Sequence, residues 1–285
     1  MLSEPANNSE VASEYDDGVI VAAIQMASGP SVDANLEEAT RHIEDAVSQQ
    51  AKLVVLPEYF CIMGMKDTDK LLVKEEFGEG PIQRFLSETA KRLGIWLVGG
   101  SVPLVSPDPD KIYNSCLVYA DDGNLAARYN KIHLFGLSMG KENYAEDKTI
   151  MAGDEVVTLA SPFGRIGLSI CYDLRFPELY RKMENVDIIL APAAFTAVTG
   201  KAHWEVLLRA RAIENLAYVI APAQGGYHVS GRETNGDSMI VDPWGVVIKR
   251  LPRGAGAVVA KLDPEYQARI RKSLPALTHR KLSYT

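Results

Sequence analysis

Three residues of reactive type stand at equivalent places in this sequence, each directly after an apolar, strand-like run. Glu58 follows Leu53-Val54-Val55-Leu56-Pro57, Lys131 follows the run Leu125 to Asn130, and Cys171 follows Ile166-Gly167-Leu168-Ser169-Ile170. Groups at the carboxyl ends of strands in layered α/β folds face the ligand crevice, so the three can converge. A carboxylate beside a buried strand resists ionisation and a neighbouring ammonium offsets that cost, which makes the two a poised acid and base. A thiol between them becomes a nucleophile that can be activated. Singly, each residue has a plainer reading: a buried structural cysteine, and an ordinary ion pair at a sheet edge. Only the triple points to covalent catalysis.

The elements that must position them alternate along the chain. Val19 to Gln25 reads as a strand, and Asn35 to Gln50 as a helix with Leu36, Ala39, Ile43, Ala46 and Val47 on one face. Leu53 to Leu56 reads as a buried strand closed by Pro57, Ile82 to Leu93 as a helix after Gly80-Pro81, and Ile95 to Gly99 as another buried strand. Ile112 to Tyr119 and Leu125 to Ile132 flank the turn Asp121-Asp122-Gly123-Asn124, which predicts a hairpin and therefore a mixed sheet. Strands follow at Val156 to Leu159, Arg165 to Ile170, Val186 to Leu190, Val219 to Ala223, Ser238 to Val241, Val246 to Lys249 and Ala257 to Lys261. A helix is predicted over Ala202 to Asn215. About a dozen strands exceed the 5 or 6 of an average sheet, so two facing sheets are expected.

No Pro-, Gly- or Ser-rich linker and no repeat divides the chain, so 19–285 reads as one domain. The polar, acidic stretch 1–18 lacks the features of a secretory signal and is expected to be disordered. The basic tail Leu274 to Thr285 is read as a segment that packs on a partner subunit. A net charge of -7 argues against nucleic acid or an anionic membrane as partner and favours a small-molecule substrate. No apolar run approaches the roughly 20 residues of a membrane span. Cys61, Cys116 and Cys171 are odd in number and unpaired in spacing, which reads as a reducing cytoplasm. The five histidines are scattered, which disfavours a metal site.

The tracts around the reactive residues resemble the nitrilase superfamily, which places a glutamate, a lysine and a cysteine in three separated motifs. Here they are Leu56-Pro57-Glu58-Tyr59, then Tyr129-Asn130-Lys131-Ile132-His133-Leu134-Phe135, then Ile170-Cys171-Tyr172-Asp173-Leu174-Arg175-Phe176-Pro177-Glu178. The resemblance runs from about Val19 to Arg280. It implies that Cys171 attacks, that Glu58 is the general base, and that Lys131 and the Tyr172 backbone N–H hold the oxyanion. Ammonia would leave as a thioester forms, and water activated by Glu58 would free the acid, with no metal or organic cofactor. It further implies a four-layer α-β-β-α sandwich of two mixed sheets, assembled as a homodimer or higher homo-oligomer. Tyr144 to Thr149 resembles the segment that supplies a second glutamate beside the lysine. Glu146 is the match, and Glu142 stays open because the loop Gly136 to Asn143 can differ in length. Arg175 and Glu178 resemble a salt-bridging pair behind the nucleophile, though a plain surface pair accounts for them nearly as well.

Ala194 to Asn215, with Ala223-Gln224-Gly225-Gly226 and Asp242-Pro243-Trp244-Gly245, is similar to the branch of deaminated-glutathione amidases and, one step away, ω-amidases. That implies a small linear amide, deaminated glutathione or a related ω-amide of a keto acid, with Phe195 and Thr196 near the pocket. N-carbamoyl amino acids and aliphatic amides are alternatives. Trp204, Leu207 and Leu208 are expected to pack, and Glu205 to pair with Arg209. One departure touches the substrate assignment: the chain reads Gly236-Asp237-Ser238 where the family reads Gly-His-Ser.

Two rival readings exist. Gly136-Leu137-Ser138-Met139-Gly140 matches the nucleophile elbow of serine hydrolases, with Asp173 and His203 or His228 in the required order, but no glycine-rich oxyanion loop follows the early strands. A binding or scaffold protein of nitrilase type would have lost a catalytic residue, and all three are present here.

Overall fold

A computed structural model describes residues 18–139 and 142–282, the Glu142 side chain excepted. The segment expected to be disordered lies, but for Gly18, outside the described residues. The elements in order are β1 (Val19–Gln25), α1 (Val32–Ser48), β2 (Leu53–Val55), α2 (Asp69–Leu72), α3 (Pro81–Leu93), β3 (Trp96–Val98), β4 (Val102–Val105), β5 (Ile112–Tyr119), β6 (Leu125–Asn130), β7 (Gly136–Met139), β8 (Glu142–Ala145), β9 (Thr158–Ser161) and β10 (Gly164–Leu168). Then come α4 (Pro177–Lys182), β11 (Ile188–Leu190), α5 (Ala197–Asn215), β12 (Tyr218–Ala221), β13 (Gly225–Tyr227), β14 (Glu233–Asn235), β15 (Ser238–Val241), β16 (Val247–Leu251), β17 (Gly256–Leu262) and α6 (Pro264–Ser273).

The first sheet runs β17-β1-β2-β3-β5-β4, with β6 also on β5, and the second runs β16-β15-β12-β11-β10-β9. Each has three parallel strands at its centre, β1-β2-β3 and β10-β11-β12, flanked by antiparallel ones. Period-two alternation divides the side chains of β1 between two cores. Val21 and Ala23 join Leu168, Leu190, Val219 and Met239 of the second sheet, whereas Ala22 and Ile24 join Ala39 and Ile43 of α1 and Leu86 of α3. On the far side, Leu179 of α4, Met183 at its end, and Trp204 and Leu208 of α5 pack on the second sheet. The result is the expected four-layer α-β-β-α sandwich of mixed sheets.

Several boundaries differ from the sequence reading, each for a local reason. The strand predicted to Ile132 stops at Asn130: the Lys131 N–H still meets Asn114 O of β5, but its carbonyl already leaves the ladder to accept from Gly153 N–H. Helix α5 starts at Ala197, five residues before the predicted Ala202, capped by Thr196 Oγ1 on Thr199 N–H. Its first turn contains Gly200, where an added Cβ would lie 2.3 Å from Asn235 Cβ, so close packing demands a residue of low helix propensity. Five strands were not foreseen: β4 carries Pro103 at a sheet edge, and β7, β8, β13 and β14 form two short hairpins without an apolar pattern. The segment Gly136 to Asn143, expected as a loop, therefore opens as β7 and closes as β8.

Candidate active site

The β2 and β10 strands belong to different sheets, yet both run in the parallel cores, and the chain leaves each toward the same end. Glu58 sits three residues past β2 and Cys171 three residues past β10. Both corners are left-handed: Tyr59 has φ +56° and Cys171 has φ +51°, a region costly for residues with a side chain and concentrated at functional sites. Behind Glu58, Gly100 is required by contact, since a Cβ there would stand 2.0 Å from Pro57 O.

Buried donors fix Glu58 on both oxygens. Oε1 accepts from Lys131 Nζ at 2.9 Å and Asn114 Nδ2 at 3.0 Å, and Oε2 accepts from Ala194 N–H at 2.9 Å. Gln224 Nε2 donates to the Glu58 carbonyl and to Ser28 Oγ, which anchors the corner. Lys131 is fully buried and bridges two carboxylates, with Nζ 2.8 Å from Glu146 Oε2 and 3.0 Å from Oε1. Glu146 also accepts from Phe135 N–H at 2.7 Å and Tyr59 Oη at 2.9 Å. Burial alone would strip the proton from Lys131, but Glu146 and Glu58 hold its ammonium well above its ordinary value. Burial works against ionised Glu146 too, and Lys131 overrides it to leave the carboxyl below its usual value. Burial and then the Glu58 charge push the Cys171 thiol well up, against the pull of Lys131.

The Cys171 turn is clamped from behind. Cys171 N–H donates to Pro192 O at 2.9 Å, and Asp173 Oδ2 accepts from Ile170 N–H at 2.8 Å and Tyr129 Oη at 2.7 Å. Its other oxygen accepts from His133 N–H at 3.0 Å, and the His133 ring stacks on Phe176 at 3.7 Å between centroids. Tyr172 is the second residue of the 3₁₀ turn Cys171–Arg175, a position whose N–H has no acceptor within a helix and points out of its start. A cavity lies in front of Cys171, lined by Glu58, Phe135, Tyr172, Arg175, Phe195 and Thr199 among others.

The structure thus brings Glu58, Lys131, Cys171, Glu146, Tyr172, Phe195 and Thr196 to one place. Glu146 is the glutamate on the lysine, while the side chain of Glu142 lies outside the described residues. Thr196 lines the cavity, but its hydroxyl caps α5. Arg175 does not pair with Glu178 among the described residues: its guanidinium lies 5.2 Å from the Phe195 ring and its Nη1 donates to His203 Nδ1 at 3.1 Å. Glu178 instead occupies the first turn of α4, where a carboxylate favours the helix dipole. Asp237 lies away from this cavity with φ +61°, held by Arg250, which also reaches Glu205 at 3.0 Å. Arg250 thereby neutralises the carboxylate that replaces the imidazole. Glu205 meets Arg209 at 3.6 Å as expected. Trp204 and Leu208 are buried, and Leu207 packs beside them.

The serine-hydrolase arrangement does not form. Ser138 is exposed on β7 of a two-stranded hairpin instead of on a strand-to-helix turn. Asp173 is occupied by Tyr129, His133 and Ile170, and His228 is buried between Ser28 O and Thr234 Oγ1. Sequence reasoning missed Asn114, Tyr59 and the Ala194 N–H. A polar Asn inside the buried run of β5 was the one available signal, since backbone donors carry no residue signature.

Comparison with known proteins agrees with this fold. The profile of the Carbon-nitrogen hydrolase family matches residues 20–272. A deaminated glutathione amidase of Synechocystis is 43% identical over 267 residues, covering 92% of this chain and 97% of that protein. One from Dictyostelium discoideum is 39% identical, covering 91% of this chain and 92% of that protein. Among solved structures, Saccharomyces cerevisiae Nit3, of branch 10 of the nitrilase superfamily, superimposes with TM-score 0.84 at 33% identity, covering 93% of this chain and 97% of that one. The Caenorhabditis elegans NitFhit protein gives TM-score 0.84 at 37% identity, and there 93% of this chain spans only 65% of the longer partner. With its sandwich, its buried carboxylate-ammonium-thiol group and these relatives, the chain belongs to the carbon-nitrogen hydrolase family of the nitrilase superfamily.

Proposed function

We propose that the chain hydrolyses a linear amide through a thioester on Cys171, with deaminated glutathione or a related ω-amide of a keto acid as substrate. The observation that carries this reading is the buried ammonium of Lys131 held between Glu58 and Glu146, two carboxylates that line the cavity containing Cys171. Glu58 takes the thiol proton as sulfur bonds to the carbonyl carbon, and the carbonyl electrons move onto oxygen. Lys131 and the Tyr172 N–H stabilise that oxyanion. The C–N bond then breaks and the amine leaves with the proton from Glu58. Water, losing a proton to Glu58, attacks the thioester, and the sulfur departs and regains the proton. Glu146 fixes the lysine.

Substrate identity sets the leaving group. A primary ω-amide releases ammonia, but every amide nitrogen of deaminated glutathione carries carbon, so cleavage at its first amide frees a dipeptide amine. The test therefore follows both ammonia and primary amine from deaminated glutathione, α-ketoglutaramate, aliphatic amides and N-carbamoyl amino acids. Wild type, Cys171→Ala and Ser138→Ala are assayed in parallel. Loss of turnover in Cys171→Ala alone is expected, whereas a dead Ser138→Ala beside an active Cys171→Ala overturns the reading.

The reading includes a reducing cytoplasmic setting, supported by three free, buried cysteines, one of them the nucleophile. Among the described residues no helix is long and apolar enough to cross a membrane. It also includes a homo-oligomer and one domain over 19–285. Assembly is supported by exposed Val206 and Ile213 on one face of α5 beside exposed Trp244 and Val246.

A further inference from the structure

Outside the nucleophile cavity, and sharing Phe135, Glu146 and Arg232 with it, opens a vestibule. Its charged lining consists of Lys66, Lys70 and Arg232 against Asp67 and Glu146. Glu146 is already neutralised by Lys131, so three cations face one remaining carboxylate. That sign opposes the chain's net charge of -7, which a random sample of its surface would carry. No ion pair joins any of the three to a carboxylate among the described residues.

Arg232 stands at the junction of the two spaces. Its Nη2 donates to Ala194 O at 2.9 Å, on the residue whose N–H holds Glu58, and its guanidinium lies 5.1 Å from the Tyr144 ring centroid. Its Nε is buried and has no hydrogen-bond partner among the described residues. Farther out, Lys70 Nζ sits 5.6 Å from the Tyr59 ring centroid, and burial pulls its ammonium below the ordinary value. Lys70 is only half-buried and has no ion-pair partner among the described residues, so a bound anion would offset its partial desolvation.

We infer that this vestibule is a carboxylate subsite: Arg232, Lys70 and Lys66 bind a carboxylate that the substrate carries several bonds away from the scissile amide. The inference rests on the amidase reading and narrows it, since the class it selects is extended amides with a free terminal carboxylate over small neutral amides. The inner cavity takes the reacting amide, and the remainder of such a molecule lies in the cationic space. A planar guanidinium can meet a carboxylate with two parallel hydrogen bonds, and a lysine adds a point charge.

The test separates this inference from the reaction itself by measuring binding without turnover. Calorimetry on Cys171→Ala compares deaminated glutathione with its terminal methyl ester, which differs by one negative charge. The acid is expected to bind about tenfold or more tightly, with a preference that shrinks as salt is raised. Adding Lys70→Met or Arg232→Gln should bring the acid-to-ester ratio toward one. Equal affinity for acid and ester, binding of neither, or a ratio unchanged in both double variants overturns the subsite. Inertness of the wild type on every amide, seen in the separate turnover assay, would instead overturn the amidase reading.

Discussion

At the scale of single residues, reactivity depends on what each group gains by being buried together. Lys131 keeps its charge only because Glu58 and Glu146 flank it, so removing it leaves two carboxylates facing each other without a cation. Lys131→Met is expected to destabilise the fold by about 3–5 kcal/mol, the cost of breaking a buried pair, and to abolish turnover; chemical denaturation and the amine assay check the two effects. Glu58→Gln should fold, because Asn114, Lys131 and the Ala194 N–H still find an oxygen in part. Its turnover should fall roughly 10²- to 10⁴-fold, as for loss of one acid-base group. The raised Cys171 thiol gives a signed expectation as well. Alkylation by iodoacetamide in the absence of substrate should be slow at neutral pH and keep rising above pH 9, whereas a thiolate at rest would react at a rate independent of pH. Glu58, Lys131 and Cys171 were legible in the sequence because reactive side chains at strand ends form a pattern. Arg232 was not, because it sits near the start of the short strand β14 with no periodicity and gains meaning only from the cavity it lines.

At the scale of elements, the site is held by corners and caps. Thr196 illustrates the difference between lining a cavity and acting in it, because its hydroxyl caps α5. Thr196→Ala is expected to cost about 0.5–2 kcal/mol of stability and to leave the pH profile of turnover unchanged. A shift in that profile would assign the hydroxyl to the chemistry. The strands of the two parallel cores were readable as apolar runs bounded by turns, as were α1 and α3 from their periodic faces. The start of α5 was not readable, because Val198, Thr199 and Gly200 are weak helix formers and the requirement for Gly200 comes from Asn235 across the molecule. The β7-β8 hairpin was hidden for a related reason: Leu137 and Met139 are its only large apolar residues, and both are at least partly exposed.

At the scale of the whole molecule, two sheets with the same parallel core deliver their strand ends to one seam, and burial there makes stability depend on pH in a defined way. Glu146 is lowered from 4.5, so its contribution is complete above that value and is lost as pH falls through the lower folded-state value. Lys131 is raised above 10.5, so its contribution is complete below that value and is lost only at still higher pH. Thermal unfolding midpoints should therefore lose the part due to this pair only outside about pH 4.5–10.5, and Glu146→Gln should flatten the acid limb. The exposed apolar face of α5 makes a further demand on the assembly. If it joins two copies, Val206→Glu with Ile213→Glu should yield monomers by light scattering while the wild type is larger.

The most direct test of the central claim is mass spectrometry of the protein quenched in acid during turnover of its best amide. A thioester is expected as an added acyl mass on the peptide containing Cys171, absent from Cys171→Ala and discharged by hydroxylamine. Steady turnover with that peptide unmodified, or with the acyl mass on Ser138, would contradict the account.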